Sequence, residues 1–200
     1  MGWEGYGFDG IIAIGASTGG TQAVRHIVKE LPHVMPPVLI VVHMMKGITN
    51  VFVDDLNALT GLDVVLATDG LLCEGNKVYI APDGIQMTVD KKSGGRLSIN
   101  CRDKEKFRGH LPSVDKLFYS VAEHCEKRSI GVILTGMGDD GADGLLGMRR
   151  KGHITIGQDK ESSVVYGMPR KAFEVGAVAN QCPLDEIVPL ILKLIAYRKT

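Results

Sequence analysis

Cysteine is scarce in this chain, with Cys73, Cys101, Cys125 and Cys182 widely spaced and no CxxC pair. That spacing suits neither a zinc knuckle nor a redox dithiol. The thiols read as buried or idle, at home in a reducing compartment. Net charge is lacking as well: Lys plus Arg and Asp plus Glu both number 23, so no global field draws the protein to nucleic acid or to an acidic membrane. No apolar run is long and uncharged enough to cross a bilayer, and the opening MGWEGYGFDG has neither the basic nor the apolar region of a signal peptide. The expectation is a soluble, cytoplasmic chain with no nucleic-acid partner and no membrane insertion.

What remains is an ordinary globular composition, 200 residues and 44% hydrophobic, enough for one domain with a sizeable core. Residues 1–10, rich in glycine and aromatics, read as a flexible leader or linker remnant. Residues 11–198 read as the folded domain. Apolar runs at 11–16 (IIAIGA), 38–42 (VLIVV), 62–67, 130–134 (IGVIL) and 153–157 (HITIG) alternate with segments of helical spacing. Those segments are the one carrying Ala23, Ile27, Val28 and Leu31, then 51–59, then the helix from Pro112 with Ser113 near its start, then 142–150. One begins at Pro169, and the last carries Leu184 to Ile195, with Pro189 inside it. Between Lys77 and Asn100 the pattern changes to a strand and a hairpin, read as an antiparallel addition to the sheet. The fold class is therefore α/β: a doubly wound, three-layer sandwich with a mostly parallel sheet and an antiparallel hairpin.

Chemistry gathers where the apolar runs end. The first breaks into GASTGG with a hydroxyl, Ser17, at its tip; the second delivers His43; the run at 130–134 leads into TGMGDDG, with Asp139 and Asp140. In an open parallel sheet these carboxyl ends share one edge, where ligands bind. A serine, an imidazole and a carboxylate are the parts of general-base-assisted acyl transfer. Taken singly, each has a plainer explanation: Ser17 and the aspartates as helix caps, His43 as a structural hydrogen-bonding residue. Phosphate binding fits poorly, because GASTGG has serine where a dinucleotide fingerprint needs glycine, and no P-loop lysine follows. GASTG does match G-x-S-x-G, but the order serine, histidine, aspartate is not that of the α/β-hydrolases. Spacing leaves open which of Asp139 and Asp140 is the acid.

With these residues in view, the chain closely resembles the catalytic domain of the chemotaxis protein-glutamate methylesterases, the CheB family. The matching stretches are IGASTGGTQAV, VVHM, VYIAP, HLPSVDKLF, GVILTGMGDDGADGL and VVYGMPRKA, in the family's order over nearly the whole chain. The resemblance implies Ser17 as nucleophile, His43 as base and Asp140, rather than Asp139, as the carboxylate. It implies the Met137 amide as an oxyanion donor, with Thr18 and His110 facing the substrate. The implied reaction is hydrolysis of glutamate γ-methyl esters on the cytoplasmic domain of methyl-accepting chemoreceptors, with deamidation of receptor glutamines by the same acyl-enzyme route. No cofactor or metal is expected, since oriented amides can stabilise the oxyanion. Two departures fall beside the docking surface: HMMKGIT lacks the family's usual prolines, and Leu111 stands where arginine is common. The usual family member also carries an amino-terminal receiver domain, which these residues do not include. The expectation is either a fragment cut at the linker or a stand-alone esterase. The competing readings are a related serine hydrolase with another substrate and a receptor-binding module without turnover.

Overall fold

The computed structural model describes residues 10–126 and 128–196. The leader expectation, Gly10 apart, lies outside the described residues, as does the domain's expected end beyond residue 196. Strands and helices alternate: β1(Ile12–Ala16), α1(Gly20–Glu30), β2(Val38–Val42), α2(Thr49–Leu59), β3(Asp63–Leu66), β4(Lys77–Ile80), β5(Thr88–Lys91) and β6(Leu97–Asn100). The chain continues through α3(Val114–His124), β7(Ile130–Ile133), α4(Ala142–Arg150), β8(Ile154–Gln158), α5(Met168–Glu174), β9(Asn180–Cys182) and α6(Leu184–Ala196).

The main sheet has seven strands in the order β3-β4-β2-β1-β7-β8-β9, all parallel. Parallel strands need crossovers, and the helices that supply them cover both faces. On one face Ile12, Ile14 and Ala16 of β1 and Val38, Ile40 and Val42 of β2 pack with Val24, Ile27, Phe52, Ile187 and Ile191 of α1, α2 and α6. On the other, Ala13, Leu39 and Val41 pack with Leu117, Phe118, Leu145 and Ala172 of α3, α4 and α5. This is period-2 alternation buried on both sides, which is why these strands read as unbroken apolar runs.

The hairpin departs from expectation in its place. β5 and β6 form a separate two-stranded antiparallel sheet rather than an edge of the main one. Met87, Val89 and Ile99 are buried with α3 over the sheet's face, and the Val89 N–H donates to Ser120 Oγ at 3.0 Å. Laid over the face, the hairpin buries its apolar side, which an edge position would leave half in water.

The outermost strand, β9, has no apolar run to announce it, since its residues are Asn180, Gln181 and Cys182. It is held by pairing with β8. In α6, Ile187, Val188, Ile191 and Ile195 face the core, while Leu192 is exposed. Pro189 is the sixth residue of that helix, so its missing N–H costs one bond near the start. Among the described residues, no helix is long and apolar enough to cross a membrane.

Candidate active site

The register of three neighbouring strands places the polar residues. Ala16 is paired with Val42 on β2, and Gly15 with Ile133 on β7. The ladders run on past the strands: the His43 N–H donates to Ala16 O at 3.0 Å and the Ser17 N–H to Thr135 O at 3.0 Å. Ser17 and His43 are thus neighbours on strands about 4.8 Å apart. Alternation also sets their direction. Ala13 and Leu39 face the α3 side, so four residues on, Ser17 and His43 share that face.

Two glycines make the Ser17 turn possible. A Cβ at Gly15 would come within 2.1 Å of Val114 Cγ1, so only glycine lets the first turn of α3 settle onto β1. Gly19 has φ 79°, the left-handed conformation that turns the chain into α1. Gly136 serves from the other side, where a Cβ would lie 2.8 Å from that of Ser17. Ser17 and His43 are half-buried and Thr18 is exposed.

Asp140 lies in the loop between β7 and α4 and is buried, while its neighbour Asp139 is exposed. Its carboxylate approaches His43, with Oδ2 2.9 Å from Nε2. The ring N–H direction misses the carboxylate, so this is a close approach rather than an in-line hydrogen bond. Asp140 also caps α3: Val114 N–H donates to Oδ2 at 2.8 Å, and Asp115 N–H and Ser113 Oγ donate to Oδ1 at 3.0 and 2.8 Å. Burial alone would push the carboxyl up. The interaction with His43, the Asp115 and Val114 amides and the Ser113 hydroxyl outweigh it and hold the group below its usual range. Asp140 is therefore a carboxylate at neutral pH, facing the imidazole.

His110 stacks on His43, the ring centroids 4.5 Å apart and the planes within 7°. Gln86, which is buried, fixes this neighbourhood. Its amide donates to the Glu105 and His110 carbonyls, and its Oε1 accepts from the Ser113 N–H at 2.8 Å. A cavity of about 180 Å³ lies beside the two rings, lined by Met44, Lys46, Asp83, His110 and Pro112. On the other side of the loop, Met137, Asp139, Tyr166, Gly167 and Arg170 line a cleft of about 560 Å³. Met137 is 72% exposed, and its N–H and that of Thr18 make no hydrogen bond among the described residues. Those donors remain available to a ligand. The Ser17 hydroxyl likewise makes no side-chain hydrogen bond there, while its carbonyl accepts from Gly20 N–H at 2.6 Å.

The donor atoms of His43, His110 and Asp140 lie within 4.8 Å of one another, the spacing of a possible cation site. The near-parallel stack, however, sends the in-plane lone pairs of the two imidazoles side by side rather than toward one point. The arrangement suits proton transfer better than chelation. The four cysteines are free. Burial pushes the Cys73 thiol up to about 12 and those of Cys101, Cys125 and Cys182 to about 11, as idle thiols should be.

The structure thus gathers Ser17, Thr18, His43, His110, Met137 and Asp140 at one sheet edge. Sequence reasoning missed the groups behind them: Gln86, the α3 amides and Asp115. Asp115 left a readable trace, an acid beside the apolar stripe of an amphipathic helix.

Fold and site together define a class, an α/β protein whose parallel sheet presents a serine, an imidazole and a buried carboxylate at adjacent strand ends. The comparison with known families narrows this: CheB methylesterase matches residues 12–191. The chain belongs to that family. It is 44% identical over 191 residues to a protein-glutamate methylesterase/protein-glutamine glutaminase of Syntrophotalea carbinolica, covering 96% of this chain and 54% of the relative. A Rhizobium etli protein of the same name is 48% identical over 189 residues, covering 94% of this chain and 54% of the relative. The chain therefore spans about half the length of these curated relatives. The crystal structure of the Thermotoga maritima CheB methylesterase catalytic domain superposes with a TM-score of 0.89 at 33% identity, covering 93% of this chain and 98% of that one.

Proposed function

We propose that this chain is the catalytic domain of a protein-glutamate methylesterase, hydrolysing glutamate γ-methyl esters on the cytoplasmic domain of chemoreceptors and deamidating receptor glutamines by the same route. The observation that carries this reading is the His43 ring, set beside Ser17 by strand register and 2.9 Å from the buried carboxylate of Asp140. The names of the relatives point the same way.

In this reading Ser17 Oγ attacks the ester carbonyl while His43 takes its proton. Nε2 faces Asp140, which leaves Nδ1 as the ring atom that accepts. Asp140 stabilises the imidazolium and stays ionised itself. The oxyanion of the tetrahedral intermediate is held by the unpaired amides of Met137 and Thr18, a kind of contact worth about 10²–10³ in rate for each donor. Collapse breaks the bond to methoxide, which leaves as methanol with the proton from His43. Water, deprotonated by His43, then cleaves the acyl-serine and restores the enzyme, leaving a free glutamate. With a glutamine side chain the leaving group is ammonia and the remaining steps are unchanged. No cofactor or metal enters this scheme. Residues 11–198 constitute the domain, working in the cytoplasm, and a receiver domain is its partner in a full-length chain.

The test is methanol release from methylated receptor membranes. Ser17→Ala, His43→Ala and Asp140→Asn should each abolish it while the proteins remain folded. Turnover retained by Ser17→Ala would defeat the reading.

A further inference from the structure

Asp115 sits where α3 and α4 meet. Its own N–H donates to Asp140 Oδ1 at 3.0 Å, and its carboxylate Oδ1 accepts from the Gly144 N–H, in the first turn of α4, at 2.7 Å. Two helix starts are therefore capped reciprocally: the acid preceding α4 caps α3, and the acid opening α3 caps α4. The helices cross closely here, since a Cβ at Gly144 would lie 2.8 Å from Asp115 O and from Phe118 Cβ. The Asp115 side chain is 2% exposed. Its other oxygen, Oδ2, faces Arg108 Nη1 at 3.6 Å, and the same nitrogen binds Asp143 Oδ2 at 2.5 Å.

Arg108 reaches this cluster from a two-residue turn. Phe107 and His110 exchange both backbone hydrogen bonds, at 3.0 and 2.9 Å, while Arg108 and Gly109 have φ of 49° and 90°. The turn that puts Arg108 on Asp115 and Asp143 also puts His110 on the His43 ring. One short hairpin thus grips the base from above, and through Asp115 the acid from behind.

We propose that Asp115 is a positioning residue for the relay, locking α4 to α3 through Gly144 so that Asp140 is held opposite His43, with Arg108 as its counter-ion. Asp115 is too deep to meet substrate and acts only through Asp140. The inference rests on the serine-esterase reading for its kinetic consequence but not for its structural one. Loss of the Asp115 acceptor frees the first turn of α4, and Asp140 sits just before that turn. Displacing a reacting group by about 1 Å can cost about 10²-fold in rate.

The experiment compares wild type with Asp115→Ala, Asp115→Asn and Arg108→Ala by steady-state methanol release and by amide hydrogen exchange at Gly144 and Val114. Asp115→Ala should lower kcat about tenfold or more with KM within about twofold, because the ground-state contacts are untouched. Exchange at both amides should quicken by about tenfold. Asp115→Asn keeps an acceptor for Gly144 and should recover most of kcat and of the protection. Arg108→Ala, at an exposed site, should lose about two- to fivefold in kcat alone. The proposal is overturned if folded Asp115→Ala keeps wild-type kcat, if its loss lies in KM, or if exchange at Val114 is unchanged. Should Asp115→Ala fail to fold, an Asn variant as slow as Ser17→Ala overturns it equally. A wild-type protein that releases no methanol would refute the reaction reading alone, since the exchange arm needs no substrate.

Discussion

The two ends of the parallel sheet offer an instructive contrast. At the amino end a cavity of about 490 Å³ is lined by Ile11, Leu72, Cys73, Lys91, Leu97 and Cys125, among others. Its thiols are pushed far above neutrality, and Lys91 pairs with Glu126 at its rim. The carboxyl end has a cavity of about 180 Å³ beside His43 and, across the Met137 loop, a cleft of about 560 Å³. There a serine, two stacked imidazoles and a buried carboxylate converge with unpaired amides. Room alone does not make a site. What distinguishes the carboxyl end is that parallel strands deliver loops and helix starts to it, so N–H donors point inward and a buried anion can be held charged.

The largest predicted effect sharpens that contrast. Ser17→Ala, His43→Ala and Asp140→Asn should each lower turnover by about 10³-fold or more, as for groups acting as one unit. Asp139→Asn, at an exposed position, should stay within about twofold. Equal losses at the two aspartates would break the assignment.

Next comes the packing that joins the edge to α3. Gly15→Ala would drive a Cβ to 2.1 Å from Val114 Cγ1, and thermal unfolding should register an over-packing cost of about 1–3 kcal/mol. Because Val114 N–H holds Asp140, activity should fall with it. An unchanged melting curve would show that the two elements are not tightly seated.

A subtler effect concerns pH. Burial, ahead of other causes, raises the Asp115 carboxyl from 3.8 to about 6. A raised acid binds its proton more tightly in the folded state, so its contribution to stability grows as pH falls from about 6 to 3.8. Asp140, with its carboxyl depressed, acts in the opposite sense: its stabilisation is present above the unfolded value and lost as pH falls through the folded one. Asp115→Asn should therefore stabilise the protein by about 1–2 kcal/mol at pH 8 in urea unfolding, the gain shrinking toward pH 4. A gain that grows on acidification would contradict this.

The smallest effect belongs to the amino end. Cys73→Ser should leave turnover within about twofold, and iodoacetamide at pH 7 should label the thiols slowly, because they are protonated there. Rapid alkylation with loss of activity would erase the distinction between the ends.

Much of this was readable in the sequence, for a physical reason. Strands buried on both faces are apolar throughout, so the first polar residue after each run, Ser17 or His43, marks a strand end. The choice between Asp139 and Asp140 was not readable from spacing, because it depends on which one the α3 amides reach. Asp140 is the buried one of the two. The Arg108-Gly109 turn and Gln86 were likewise hidden, and Asp115 showed only as an acid beside an apolar stripe, since their roles come from how loop, hairpin and helices cross. β9 escaped because pairing, not apolarity, holds it.

The central claim is that Ser17 is a nucleophile activated by His43 at this edge. Labelling with a fluorophosphonate, followed by peptide mass spectrometry, tests it most directly. The account predicts one adduct on Ser17, absent in Ser17→Ala and formed about 100-fold more slowly or worse in His43→Ala. An adduct on another residue, or wild-type labelling of the His43→Ala protein, would contradict it.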